Sequence, residues 1–532
     1  MSKKSFMQGA VILGVAGVFI KILGAAFRIP LANMIGDVGM SYYQSAYPIY
    51  VVFLTLATAG IPIAISKMVS ERIAIENYYG AHKVFKISFF LLFAIGAVSS
   101  SIVFFGAGII SDMVSVPEAR YSMRAIAPAL LIVPMMAAYR GYFQGMQNMK
   151  PTAVSQSIEQ FFRVSCGLFL AYYFLSMGLQ FSAAGAAFGA TAGSIAGLIC
   201  VVIIYFKKRK GLKEKIAASL NQKAEKPAHI LLRIMVIAVP ITLGASIMPI
   251  MNTIDLAMVV NILTQVGYSD EVARGMYGQL AGMVGPLINF PQVLTQAVAM
   301  SLVPAISIAH KQQDIPFMHE NIKIGLRSAI IIGLPCAFGF MTLSEQIMLL
   351  IYPMQREAAM SAAGALFIMG IGVVFLATVQ TLTGILQGIG KQLIPVRNLA
   401  IGAVVKFFIS FNLIAVSGIG VRGAAIGTVA AFIVASTLNM IEMRKHTGVK
   451  IDFVVTFVKP IIAAITMSAV VWLAYRGLNI FLFDALSTIG AIAIGAIVYF
   501  FMILKIKAIT KEELEKFPKG KKLVKLANIF VK

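Results

Sequence analysis

The sequence predicts an all-α integral membrane protein of about fourteen transmembrane helices, two six-helix repeat lobes followed by two further C-terminal helices. Three observations predict it. Of the 532 residues, 59% are hydrophobic and only 12% are charged, about half the charged share of an ordinary soluble protein. Apolar runs of about 20 residues, enough to cross a hydrocarbon core of roughly 30 Å, recur from end to end. Short strings in the first half of the chain return, in order, in the second. Backbone groups cannot stay unpaired in lipid, so the runs are helices or barrel strands. They lack the alternation of barrel strands, which leaves helices.

The first span, 8–31, follows Met1-Ser2-Lys3-Lys4 and is too long for the core of a signal peptide. The next five are 43–66, 87–110, 125–144, 153–177 and 182–206. A basic segment, 207–233, separates them from six more at 234–263, 279–307, 328–350, 361–386, 396–417 and 421–443. The last two are 455–475 and 485–504, before a basic tail at 505–532. An even count puts both termini on one side. With both cytoplasmic, and with Arg397, Arg422 and Lys459 at the span ends counted with the adjoining loops, inner segments hold 34 of the 45 Lys and Arg residues, outer segments hold six, and five lie deeper within spans. This is the bias of the positive-inside rule, and one span more or fewer would invert it downstream.

The net charge of +24 therefore reports topology. Nucleic-acid binding would need a polar domain to carry the charge, and the sequence offers none. The loop 207–233 and the tail lie where anionic membrane lipids are, and attract them by about 1 kcal/mol per cation. Cys166, Cys200 and Cys336 fall inside apolar runs with no metal-ligand or disulfide spacing.

The repeat is carried by three matches. Gly141-Tyr-Phe-Gln144-Gly145, Pro151 and Arg163 return as Gly384-Ile-Leu-Gln387-Gly388, Pro395 and Lys406. Pro62-Ile-Ala-Ile-Ser66 returns as Pro304-Ala-Ile-Ser307, and Gly185-Ala-Ala-Phe-Gly189 as Gly423-Ala-Ala-Ile-Gly427. The lobes are thus residues 1–206 and 234–443, joined by the linker 207–233, with 444–504 outside the repeat. Transporters built from repeats bind substrate near the midplane, where the repeats meet.

Lys21-Ile-Leu-Gly24, Gly60-Ile-Pro-Ile-Ala-Ile-Ser66-Lys67, Arg140-Gly-Tyr-Phe-Gln-Gly-Met-Gln-Asn-Met-Lys150-Pro151 and Val154-Ser-Gln156-Ser-Ile-Glu159-Gln160 resemble the polysaccharide-exporter branch of the multidrug/oligosaccharidyl-lipid/polysaccharide (MOP) superfamily. Within it the chain is similar to the stage V sporulation protein B and lipid II flippase groups. The resemblance covers essentially the whole chain. It implies fourteen helices, a cationic central cavity, and a lipid-linked oligosaccharide pyrophosphate as cargo. It also implies a tail groove shaped by the last two helices and a place beside the cell-wall synthesis machinery. Val52 to Gly60 lacks the arginine pair and Glu-Gly of the lipid II flippases, which is the pattern of the sporulation-type branch.

Leaving aside those at the span ends, seven ionised side chains lie clearly inside spans: Lys21, Arg28, Arg140, Glu159, Arg163, Asp255 and Lys406. Each costs roughly 2.5–3.5 kcal/mol there unless paired or hydrated, which makes it a functional candidate. Five are cations, the sign that a pyrophosphate headgroup requires, with Arg forks for phosphate and Lys as a point charge. Glu159 and Arg163, four apart, share a helix face and form either an internal ion pair or part of the cavity; Gln156 and Gln160 extend their stripe. Asp255 either pairs with a distant cation or takes up Na+ or H+ for coupling. Arg28 either snorkels or faces the cavity, and Arg140 either serves the helix end or the cargo. Lys21 is about 20 Å into its span, and Lys406 is the repeat partner of Arg163.

Gly418-x-Gly420-x-x-Gly423 joins two spans with no strand before it, so it is not a dinucleotide turn. The outer loops are short and group no carboxylates for catalysis, so an enzyme is not expected, nor a metal or organic cofactor. The expected function is outward translocation of a lipid-linked cell-wall precursor, foremost lipid II for peptidoglycan, by alternating access, with the membrane potential as a drive. The alternatives are another undecaprenyl-linked polysaccharide or teichoic acid intermediate, or cation/drug antiport.

Overall fold

The computed structural model describes residues 3–219, 225–416 and 418–508, without the side chains of residues 3–16, Val18, Lys21, Ala25 and Lys210. All regular structure among them is helical, as hydrocarbon surroundings demand. By packing, the chain divides into two units between Gly282 and Met283.

The first unit holds α1 (Lys3–Thr58), α2 (Ile61–Ala74), α3 (Tyr78–Met113), α4 (Ala119–Gly145), α5 (Lys150–Tyr173), α6 (Leu179–Ala218), α7 (Pro227–Gln265) and α8 (Asp270–Gly278), which runs into a π-helical turn from Gln279. Prolines in the first turns of α2, α5 and α7 sit where the helix leaves N–H groups unpaired anyway. Asn77 caps α3, its Oδ1 accepting from the Gly80 amide at 2.6 Å. α4 packs on α1, α2, α3 and α6, and α5 lies between α1 and α6.

The second unit holds α9 (Gly285–Lys311), α10 (Ile315–Thr342), α11 (Ser344–Ile351), α12 (Arg356–Gly388), α13 (Leu393–Ile414), α14 (Arg422–Thr447), α15 (Lys459–Leu478) and α16 (Asp484–Lys505). α12 packs on α9, α10 and α14, and α13 on α14. The hairpin α15–α16 packs on α10 and α11, and Tyr499 Oη donates to the Ile331 carbonyl at 3.0 Å.

Twelve segments among the described residues are long and apolar enough to cross a membrane, against the fourteen spans expected. The difference lies at two places. Residues 22–74, which contain the end of span one and all of span two, run as one apolar segment. Its turn is a single residue, Gly36, at φ 66° within α1, a backbone region open to glycine but costly for other residues. α5, the fifth span, is absent from the twelve; Lys150, Gln156, Glu159, Gln160 and Arg163 make it polar for its length. The second span is also broken. α1 ends at Thr58 and α2 starts at Ile61, and a Cβ on Gly60 would lie 2.2 Å from the Ala238 carbonyl oxygen of α7.

The repeated strings produce repeated crossings. A Cβ on Gly145 would strike Val69 and the Ser66 carbonyl; one on Gly388 would strike Ile306 and the Val303 carbonyl. Gly189 abuts the Arg163 carbonyl and Gly427 the Lys406 carbonyl, while Gly185 abuts Leu170 and Gly423 abuts Leu413. One proline match needs correction. Ser66 occupies the place of Val303, so Pro304-Ala-Ile-Ser307 is not the spatial counterpart of Pro62-Ile-Ala-Ile-Ser66. The string is short and apolar, and it recurs out of register.

Packing joins α7 and α8 to the first unit, although the repeat assigns them to the second lobe. Several contacts do this. Gly60 meets Ala238, Gly278 lies against the Asp37 carbonyl, and Ser115 Oγ donates to Asn261 Oδ1 at 2.5 Å. The described ends of the linker dock as well. Arg72, 5% exposed, pairs with Glu225 at 2.6 Å, Lys83 Nζ donates to the Glu225 carbonyl at 2.8 Å, and Arg233 pairs with Glu71 at 2.7 Å. The tail is described only to Ala508.

Candidate functional site

The glycine ladder Gly185, Gly189, Gly193 and Gly197 brings α6 onto the polar stripe of α5. A Cβ on Gly193 would lie 2.4 Å from the Glu159 carbonyl, and one on Gly189 2.5 Å from that of Arg163. Four glycines one turn apart let the backbones approach, as small residues do in membrane interfaces. The stripe is thereby fixed at a defined height in the bundle, with its side chains held beside α4.

Arg140 reaches that stripe from α4. Its Nη2 donates to Glu159 Oε2 at 2.9 Å and its Nε to Ser155 Oγ at 2.9 Å. Arg163 Nη2 donates to Glu159 Oε1 at 3.3 Å. Glu159 therefore bridges two arginines, and the three side chains are only 11–18% exposed. One carboxylate against two guanidinium groups leaves one positive charge in excess. Arg163 Nε is buried and has no hydrogen-bond partner among the described residues. A buried, incompletely satisfied cation of this kind is costly, and an incoming anion would relieve it through charge-assisted bonds.

A tyrosine row on α1 faces this cluster. The Arg28 guanidinium lies 5.1 Å from the centroid of the Tyr47 ring, within cation–π range. Tyr43 stacks on Tyr47 at 5.9 Å, and Tyr47 neighbours Tyr50 at 6.0 Å. Arg28 and Arg163 both lie within electrostatic reach of Tyr43. Gln160 Nε2 approaches Gly24 of α1 at 4.0 Å, measured to the position of a Cβ. Gln156, half-buried, lies one turn before it.

The first unit thus brings together Arg28, Arg140, Glu159 and Arg163. Asp255 lies half-buried on α7. Lys406 belongs to the second unit and is 3% exposed, on the α13 row Asn398, Gly402, Lys406 and Ser410 that packs on α14. The Lys21 side chain is outside the described residues. Sequence reasoning missed Asp37, whose Oδ1 accepts from the Val38 amide and whose Oδ2 accepts from Gln279 Nε2, each at 2.8 Å. It also missed the tyrosine row, although the spacing 43, 47, 50 is helical and was there to be seen.

Comparison with known proteins identifies the family. The family described as polysaccharide biosynthesis protein matches residues 6–310. Three relatives from Bacillus subtilis (strain 168) align along most of the chain. The membrane protein YabM is 30% identical, covering 97% of this chain and 96% of that protein. Stage V sporulation protein B is 27% identical, at 97% and 98%, and the lipid II flippase MurJ is 27% identical, at 90% and 88%. Among solved structures, a MurJ in an inward closed conformation superposes with a TM-score of 0.65 at 16% identity, covering 92% of this chain and 98% of that one. An inward-facing MATE transporter superposes at 0.67 and 16%, covering 83% and 98%. The chain belongs to the polysaccharide biosynthesis protein family and is a multi-pass membrane protein of the MOP superfamily of flippases and transporters.

Proposed function

We propose that this transporter moves the sugar-pyrophosphate headgroup of a lipid-linked cell-wall precursor, foremost lipid II, from the cytoplasmic to the outer leaflet by alternating access. The observation that carries this reading is the Arg140–Glu159–Arg163 cluster. A site for organic cations would place the excess charge on the acidic side. Here the excess is positive, with a donor on Arg163 left over. The alignment with MurJ over 90% of the chain supports the same cargo class. In the first unit, Lys21, Arg28, Arg140, Gln156 and Arg163 are assigned to headgroup binding and Asp255 to charge pairing or ion coupling; in the second unit, Lys406 is assigned to headgroup binding.

Cation/drug antiport is a second reading, favoured by the superposition on the MATE transporter. Depleting the protein and identifying the lipid that accumulates on the inner face separates the two. The proposal expects a polyprenyl-pyrophosphate sugar to accumulate. Unchanged lipid intermediates, with altered tolerance to organic cations, would favour antiport. A teichoic or capsular intermediate in place of lipid II would keep the mechanism and change the cargo.

A further inference from the structure

The exposed face of α5 and α6 carries a groove of about 710 Å³. On α6, Ala192, Ala196 and Cys200 follow one another a turn apart, small side chains that leave a trough; on α5, Val154, Ile158 and Phe162 form the facing row. No lining side chain is charged, so the groove suits hydrocarbon and not a hydrated headgroup. Its lining on α6 extends from Phe188 to Ile204, about 24 Å at the helical rise of 1.5 Å per residue. One leaflet of a hydrocarbon core is only about 15 Å deep. The groove is therefore longer than a phospholipid acyl chain confined to its leaflet, and it suits a longer chain that crosses the midplane.

One end of the groove is cationic. Lys150 lies one turn before Val154 on α5, and Lys207 one turn beyond Ile203 on α6; both are exposed. Residues four apart share a helix face, so the two ammonium groups flank the same end of the trough. Lys208 is close by but leans over the Phe143 ring, 5.8 Å from its centroid.

We infer that this groove is a binding site for a polyprenyl phosphate or pyrophosphate, its isoprenoid chain along α5–α6 and its phosphate end between Lys150 and Lys207. The inference rests on the lipid-linked cargo proposed above and adds a tail site in the first unit, separate from the α15–α16 hairpin of the second. The apolar trough contributes chain-length selectivity, and the lysine pair contributes preference for the charged end.

The test uses the full chain in vesicles of phosphatidylcholine and phosphatidylglycerol, with a long-chain polyprenyl phosphate carrying a photoreactive group at its far end. Crosslinks mapped by mass spectrometry should concentrate toward the end of the groove remote from Lys150 and Lys207, around Phe162, Phe188 and Ala192. The double variant Ala192→Phe, Ala196→Phe should lower labelling there at least fivefold. Lys150→Gln with Lys207→Gln leaves the trough intact and should lower labelling by the phosphate severalfold, but not by the uncharged polyprenol. Labelling spread evenly over the exposed helices, or unchanged in both variants, would overturn the site. So would its removal by excess phosphatidylglycerol, which would mark ordinary bilayer lipid. Headgroup flipping in the same vesicles separates this inference from the proposed function. Flipping without groove labelling would reject the groove alone, and groove labelling without flipping would support the groove and count against the flippase reading.

Discussion

Glu159 is the residue on which the candidate site turns, because it answers two arginines at once. Removing one member of a buried ion pair leaves the other charge uncompensated, which costs more than the pair itself contributes. Glu159→Gln and Arg140→Gln should each destabilise the protein. The double variant should be more stable than the two losses predict, with a coupling of about 1–3 kcal/mol, read from thermal unfolding in detergent. Additive losses would show that the bridge seen here carries no energy. Arg28 is held by an aromatic ring and by no carboxylate among the described contacts. Arg28→Ala should therefore stay folded and inserted yet lose transport at least tenfold, and full transport would remove it from the site. The Glu159–Arg163 pair was legible in the sequence because four residues make one helix turn. Arg140 was recognised as a candidate, but its partner was not, since Ser155 and Glu159 lie beyond a turn whose geometry no string reveals. The contact of Asp37 with Gln279 was illegible for the same reason, at far greater separation.

At the scale of elements, small residues decide which helices touch. Gly193 has the Glu159 carbonyl 2.4 Å from where its Cβ would be, whereas Gly108 on α3 has nothing within 4 Å. Gly193→Val should push α5 from α6, lower the unfolding temperature by several degrees and abolish transport. Gly108→Val should leave both nearly unchanged. Equal behaviour of the two would show that the ladder does not position the stripe. Most helices were legible as apolar runs, since the bilayer requires about 20 residues of each. Their breaks were not. The turn at Gly36 is followed by Asp37, which lies against α8, and the gap at Gly60 lies against α7. Periodicity within one span carries no trace of either. The crossings at Gly145 and Gly388 were anticipated by their matching motif, while the neighbouring proline string misled by recurring out of register.

For the whole molecule, the Lys and Arg bias makes a claim about direction that the fold does not itself carry. The account places both termini in the cytoplasm. A cysteine introduced at Asp270, in a background without Cys166, Cys200 and Cys336, should react with an impermeant thiol reagent from outside the cell. One introduced at Glu214 should react only after permeabilisation, and the reverse pattern would invert the topology. That direction matters for energetics. A negative interior favours outward movement of an anionic headgroup by roughly 2.3 kcal/mol per charge across 100 mV. On the proposed function, the emptied cationic site is drawn back by the same field, and both strokes run downhill when the headgroup carries more negative charge than the site carries positive. The most direct test is the rate of headgroup flipping in vesicles at imposed diffusion potentials and constant pH, for the parent and for Arg163→Gln. The account predicts that a potential negative on the cytoplasmic side accelerates the parent severalfold, and that Arg163→Gln is slow at every potential. Flipping by the parent that is indifferent to potential, or flipping by Arg163→Gln at the parental rate, would contradict it.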